Sequence, residues 1–268
     1  MAKIDPTARV ADGAKLGNDV EIGPYCIVGP DVSLGDGVRL HAHVNLAGIT
    51  SVGAETEIYP FASLGTPPQS VHYKGEPTKL IVGAKCLIRE SATMNTGTVG
   101  GGGETRVGDR CMFMAYTHVA HDCVVGNDVI FANNATLGGH CSVGDHVFFG
   151  GLSAAHQFTR VGEQAVIGGM SGVEFDVIPF GALLGGRGEL GGLNLVGLKR
   201  RGFSREAIHS LRAAYRALFF GKGTLAERVE AVAEEFAADA NVQKIIYFIR
   251  AGGKRRITLP RGSAERDL

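Results

Sequence analysis

The chain has no tryptophan and only nine prolines in 268 residues, and its 27 lysines and arginines are balanced by 27 aspartates and glutamates. A zero net charge argues against nucleic acid or an anionic membrane surface as the main partner, since both select basic faces. No stretch approaches the ~20 apolar residues of a membrane span, and no basic segment leading into an apolar run opens the sequence. A cytoplasmic protein with no integral membrane segment is therefore expected. Five cysteines occur without a Cys-x-x-Cys pair, which removes the common redox and structural-zinc signatures. Glycine is abundant instead, with 40 residues, about twice its usual ~7% share. Beside so few prolines, this speaks for many tight turns rather than disorder.

A period of six explains the glycines. Reading every sixth residue from Ile4 gives Val10, Leu16, Ile22, Val28, Leu34, Leu40, Leu46, Val52, Ile58 and Leu64, all aliphatic. Chance would produce such a run in a given frame with a probability on the order of one in ten million. The frame resumes at Val82, Ile88 and Met94, slips by one, and runs from Val107 through Phe113, Val119, Val125, Phe131, Leu137, Val143, Phe149, Ala155, Val161 and Ile167 to Val173. Two residues before each anchor stands a small or β-branched residue, such as Ala8, Val20, Cys26, Thr117, Cys123, Ala135 and Cys141. Two inward positions per hexad, separated by one outward position, describe a short strand followed by a corner. Three hexads closing a triangular coil of 18 residues form a parallel β-helix, in which stacked coils bury the anchors. About 26 hexads make nearly nine coils, a prism roughly 40 Å tall at ~4.8 Å per coil. Insertions are expected near 65–81 and 97–106, where the frame breaks.

The pattern changes near residue 197. Ser204 is placed to cap a helix with Ile208, Leu211, Tyr215, Leu218 and Phe219 on one face,. Thr224 and Glu227 form a capping box for a second helix, and a third is expected from about Asn241. The expected organisation is a β-helix over 1–196 followed by a small α-helical domain over 197–268 that covers its open end, with a loosely structured tail from Gly252. All five cysteines occupy the small inward position, so they read as core. Lys254, Arg255 and Arg256 read as a solvated charge run. Gly100 to Gly103 lacks the Lys-Ser/Thr of a phosphate loop and reads as a flexible loop.

The histidines do not scatter. The corners at 120–122, 138–140 and 156–158 are 18 residues apart and carry His121, His140 and His156, with His118 on the preceding strand and Asp122 beside His121. A neutral imidazole oriented by a carboxylate is suited to general base catalysis. Gly138 and Gly139 would expose backbone N–H groups able to hold an oxyanion. Zinc is the competing reading, but imidazoles one coil apart start ~5 Å from one another and a zinc site needs nitrogens ~2.0–2.1 Å from one point. No metal and no cofactor are expected.

The runs Thr117-His118-Val119-Ala120-His121-Asp122-Cys123, Phe131-Ala132-Asn133-Asn134-Ala135-Thr136-Leu137, Ala155-His156-Gln157-Phe158 and Gly197-Leu198-Lys199-Arg200-Arg201-Gly202-Phe203 closely resemble the acyl-ACP:UDP-N-acetylglucosamine O-acyltransferases that begin lipid A synthesis. The likeness spans nearly the whole chain. A sister N-acyltransferase family shares the hexads but not the Leu-Lys-Arg-Arg-Gly-Phe segment in this position, and γ-type carbonic anhydrases share only the fold. The resemblance implies a left-handed coil and a homotrimer with active sites between adjacent β-helices. It implies His121 as general base, supported by Asp122, with the Gly139 amide as oxyanion donor. His118, His140, His156, Gln157, Ser70 and His72 would contact substrate, while Asn194, Arg200 and Arg201 would hold the nucleotide. Gly169, with Met170 beside it, would line a long acyl groove, and Arg205, Arg212 and Arg216 would meet an acidic acyl carrier protein. Ser70 and His72 replace the family's usual Asp and Lys, Arg187 a frequent His, and Val196 a frequent Glu. Those departures leave open an acceptor bearing a 3-amino group, which would give an amide.

Overall fold

The hexads wind into a three-faced prism. The computed structural model describes residues 1–186 and 188–263, and each of its strands is two to five residues long and separated from the next by a corner. Within a face, strands of the regular coils lie in parallel register with those one coil above and below: Ile22 pairs with Ile4 on one side and Leu40 on the other. Among the described residues the three faces hold eleven, nine and eight strands. The first face begins with Lys3–Ile4, the second with Arg9–Val10 and the third with Lys15–Leu16. The chain is a parallel β-helix.

The anchors and their small partners are the core. From Ile22 to Val173 every aliphatic or aromatic anchor of the period is buried, and Phe113, Phe131 and Phe149 stack along the axis with ring centroids 5.0 and 4.7 Å apart. Each such burial is worth about 1.5–3 kcal/mol. The first coil is the exception: Ile4 is 47% exposed, since it has a neighbour on only one side. All five cysteines are buried, and each thiol donates to a corner carbonyl in the next coil, as Cys123 does to Gly138 O and Cys141 to His156 O. The thiols thus act as donors inside the core as well as small apolar fillers.

Most corners hold a residue with a left-handed backbone. Among the described residues, nineteen non-glycine residues take φ between 53° and 67°, Asp122 and His140 being two of them. Asp, Asn and His are the side chains best tolerated there. The corner between the second and third faces is the irregular one. It is only Ala47–Gly48 between the strands Asn45–Leu46 and Ile49–Val52, then expands to residues 67–78 and 96–103 in the next two coils, and returns to four residues at 120–123, 138–141 and 156–159. Both insertions therefore leave the prism just below the histidine-bearing corners.

After the last regular coil, Gly181–Leu184 and Glu189–Leu193 form an antiparallel hairpin on the first face. Four helices follow: α1 (Leu195–Arg200), α2 (Arg205–Phe220), α3 (Leu225–Glu235) and α4 (Ala240–Ala251). Ser204 caps α2, Thr224 and Glu227 make the capping box of α3, and Asp239 caps α4. Helix α1 was not anticipated, because its six residues are too few to show an apolar period; Asn194 caps it by accepting from Gly197 N,. None of the helices among the described residues is long and apolar enough to cross a membrane.

Two expectations for the tail are corrected. Segment 254–263 is not loose: Ile257 bridges Asp176, Thr258 N donates to Asp176 O, and Thr258 and Ser263 are buried. Nor is the Lys254-Arg255-Arg256 run simply solvated. Arg255 pairs with the buried Asp176 at 3.1 Å, sharing it with Arg160 at 2.7 Å, and Arg256 lies over the Phe175 ring at 4.2 Å. A buried carboxylate needs such partners, and two arginines from different parts of the chain supply them. Residues 264–268 of the expected helical domain lie outside the described residues.

Candidate active site

The histidine-bearing corners and the two insertions enclose a cavity of about 400 Å³ lined by Ser70, His72, Tyr73, Glu76, Thr98, Val99, Gly100, His121, His140 and Phe158. Its floor is His121. The imidazole Nδ1 lies 2.7 Å from Asp122 Oδ2, a geometry in which the neutral ring donates Nδ1–H to the carboxylate and keeps its lone pair on Nε2,. The Asp122 side chain is fully buried. Its carboxylate also accepts from Thr98 N at 2.7 Å and Thr98 Oγ1 at 2.6 Å, while its own backbone N–H donates to Thr105 Oγ1. A buried carboxylate with three donors is held in one orientation, and it holds the imidazole in turn.

Gly139 is glycine for a steric reason. A Cβ there would lie 2.6 Å from His121 Cε1 and 2.8 Å from Nε2, so only a bare backbone lets the ring rest against it. No acceptor is recorded for the Gly139 N–H among the described residues, although its neighbours Gly138 and His140 donate to Ala155 O and His121 O. An unpaired donor beside a base with a free Nε2 can receive the negative charge of a tetrahedral adduct.

The three corner histidines occupy different places on their shared edge. His140 sits 18 residues above Asp122, meets His121 edge-on with centroids 5.0 Å apart, and stacks flat on Phe158 at 4.4 Å. His156 points elsewhere: it is exposed and its Nδ1 lies 3.1 Å from Gln157 O. Gln157 is likewise exposed. His118 Nδ1 pairs with Thr93 Oγ1 at 2.8 Å on the second face, and burial, followed by the charge of His121, lowers its pKa below the ordinary histidine value.

The remaining expected residues form separate groups. Asn194, Arg200 and Arg201 line a second cavity of about 540 Å³ with Asp128, His146, Phe148 and Val196. Asn194 already has structural work there, capping α1 through Oδ1 and donating to Gln164 O through Nδ2. Arg201 donates to His146 O, and burial lowers its pKa. Gly169 and Met170 are exposed on the corner between the first and second faces. Arg187 lies outside the described residues.

Two expectations change. Gly100 to Gly103 belongs to a short 3-10 turn, Val99–Gly101, whose cap Thr98 accepts from Gly101 N. A Cβ on Gly101 would fall 2.0 Å from Asp122 Cγ, so this glycine permits close packing instead of supplying flexibility. The coil spacing that separates the imidazoles leaves the Asp122 carboxylate beside two of them. His121, Asp122 and His140 each offer a donor atom within 4.8 Å of the others, and they are the residues able to hold a divalent cation. The hexads gave no hint of Thr98. Thr98 lies in the frame slip, where the period is silent, and its only signal was the nearby glycine run.

The model described as Udp N-acetylglucosamine O-acyltransferase, Domain 2, matches residues 176–258, and the bacterial transferase hexapeptide model matches 13–48 and 104–139. The acyl-[acyl-carrier-protein]–UDP-N-acetylglucosamine O-acyltransferase of Azorhizobium caulinodans is 64% identical over 97% of this chain and 96% of its own length. The protein of that name from Caulobacter vibrioides is 53% identical over 96% and 98%. Among solved structures, the UDP-N-acetylglucosamine acyltransferase of Campylobacter jejuni superposes with a TM-score of 0.90 at 38% identity, covering 96% of this chain and 99% of that one. The Arabidopsis enzyme gives 0.85 at 33% identity, with coverage of 96% and 99%. The chain belongs to the acyl-[acyl-carrier-protein]–UDP-N-acetylglucosamine O-acyltransferase family.

Proposed function

We propose that the protein transfers a 3-hydroxyacyl group from acyl carrier protein to the 3-hydroxyl of UDP-N-acetylglucosamine, the first step of lipid A biosynthesis, in the cytoplasm. The observation that carries this reading is the buried His121–Asp122 pair beside the unpaired Gly139 N–H, in a chain of this family. His121 Nε2 removes the proton of the sugar hydroxyl as its oxygen attacks the thioester carbon. The Gly139 N–H receives the oxyanion. When the C–S bond breaks, His121 returns the proton to the departing thiolate, so the base is regenerated and nothing is oxidised.

The same reading assigns Ser70, His72, His118, His140, His156 and Gln157 to substrate contact, and Asn194, Arg200 and Arg201 to the nucleotide. Arg suits phosphate because its planar fork offers paired donors. Within one chain these residues fall on two cavities, an exposed corner and, for His118, the second face, which favours a homotrimer of left-handed β-helices with sites between copies. The outer surface supports this: Phe148, Leu152 and Met170 are 38%, 61% and 72% exposed, a band of large apolar side chains suited to a neighbouring helix or an acyl chain along Gly169 and Met170,. Arg205, Arg212 and Arg216 on α2 are assigned to the acidic carrier protein.

Purified protein is expected to convert 3-hydroxyacyl carrier protein and UDP-N-acetylglucosamine into the O-acylated nucleotide, identified by mass spectrometry. Activity undiminished after chelation and gel filtration accords with a metal-free mechanism. No product with any acyl length, or product only with the 3-amino sugar nucleotide, would overturn the assignment.

A further inference from the structure

Thr98 lies outside the hexad pattern, yet it makes two of the three hydrogen bonds to the buried Asp122 carboxylate. Its backbone N–H takes Oδ1 and its hydroxyl takes Oδ2, the oxygen that His121 also uses. The hydroxyl has no freedom to rotate away, since it simultaneously accepts from Gly101 N at 3.2 Å. Gly101 packs so closely on Asp122 that a Cβ would overlap the carboxylate. Thr98 O accepts from Gly103 N at 2.8 Å and closes the turn. The insertion 96–103 is therefore fastened to the prism through the carboxylate that orients the base.

We propose that Thr98 is a positioning residue for acyl transfer: it fixes the plane of the Asp122 carboxylate, and through it aims His121 Nε2 into the cavity. This deepens the acyltransferase reading and rests on it. Aligning a base to within a fraction of an ångström is where such a contact acts, because proton transfer falls off steeply with misorientation. Thr98 does not touch substrate. Its loss leaves binding intact and slows turnover.

Three variants of the full-length protein test this. Thr98→Val keeps the shape and the backbone N–H but removes the hydroxyl; it is expected to lower kcat about tenfold, with KM for both substrates within about twofold and an unchanged melting temperature. Thr98→Ser restores the hydroxyl and returns kcat to within about threefold of the parent. In an Asp122→Asn background, Thr98→Val has no carboxylate to align, and it costs less than about twofold more. A substrate-independent readout accompanies the kinetics. The downfield proton resonance of His121 Nδ1–H, assigned by its loss in His121→Gln, is expected in the parent and in Thr98→Ser and broadened away in Thr98→Val.

Undiminished kcat and an unchanged resonance in Thr98→Val overturn the inference. So does a full multiplicative loss in the double variant, or a serine variant as slow as valine with a lowered melting temperature, which makes the contact one that merely folds the loop. If the parent protein itself shows the resonance and no turnover, the acyltransferase reading fails while the alignment of His121 is still decided by the resonance.

Discussion

The corner from the third face to the first and the histidine-bearing coils of the corner from the second to the third share one backbone, with a residue at φ near 60° at Asp128 and His146 on the one and at Asp122 and His140 on the other, and they put it to different uses. On the former, polar side chains pair with their own kind one coil away. Asp36 accepts from Asn18 N and Asp145 accepts from Asn127 N, both 18 positions apart and open to water. On the latter, Asp122 is buried, and its partners are the adjacent His121 and Thr98, 24 positions away. A separation of 18 is the coil maintaining itself. The separation of 24 exists because an insertion folds back onto the corner, and there the carboxylate has been taken out of water.

That contrast can be broken at its strongest point first. His121→Ala is expected to reduce acyl transfer by roughly 10³, within the range for loss of a general base, with the melting temperature held. A variant within tenfold of the parent would place the chemistry elsewhere. Gly101→Ala comes next. Its methyl group has no room beside Asp122, so the turn must lift. Turnover is expected to fall about 10- to 100-fold, while far-ultraviolet circular dichroism still reports an intact β-helix. Full activity in this variant would make the insertion a passive cover.

The regular part of this structure could be read in the sequence because the coil repeats one constraint. From Ile22 onward each anchor is buried by two neighbouring coils, so selection for apolar residues recurs every six positions. The same register brought His121, Asp122, His140 and Gly139 to one edge. It could not show that His156 turns away, because position on an edge fixes Cα and leaves the rotamer to local contacts. Nor could it reveal Thr98 or the docked tail. Thr98 meets Asp122 through an aperiodic insertion, and Arg255 meets Asp176 across 79 positions, contacts that no local pattern encodes. Asn194 was assigned to the nucleotide alone, and its capping bond to Gly197 N became visible only with α1.

The structural corner supplies the counterpart measurement. Asp36→Ala removes acceptors for Asn18 N at 2.7 Å and Asn18 Nδ2 at 3.4 Å. Both are exposed, so water replaces them, and the expected cost is about 1 kcal/mol with turnover unchanged. Denaturant unfolding and the acyl-transfer assay read the two halves of that statement. A large loss of activity would erase the distinction between the corners.

The finest test concerns His118, whose neighbour is Thr93 on the second face and whose pKa burial pulls below the ordinary value of 6.5, with the charge of His121 adding to the effect. In the unfolded chain the imidazole regains its usual affinity for protons. As pH falls through 6.5, the unfolded form binds a proton that the folded form refuses, so stability is lost on the acid side and is fully present above 6.5,. His118→Gln keeps a polar partner for Thr93 and cannot titrate. It is expected to lose less stability than the parent between neutral pH and the acid side of that value, measured as the shift in the denaturant midpoint. Equal shifts in the two proteins would mean that this imidazole is solvated like the corner residues of the structural edge, and the burial that separates the two regions would stop at Asp122.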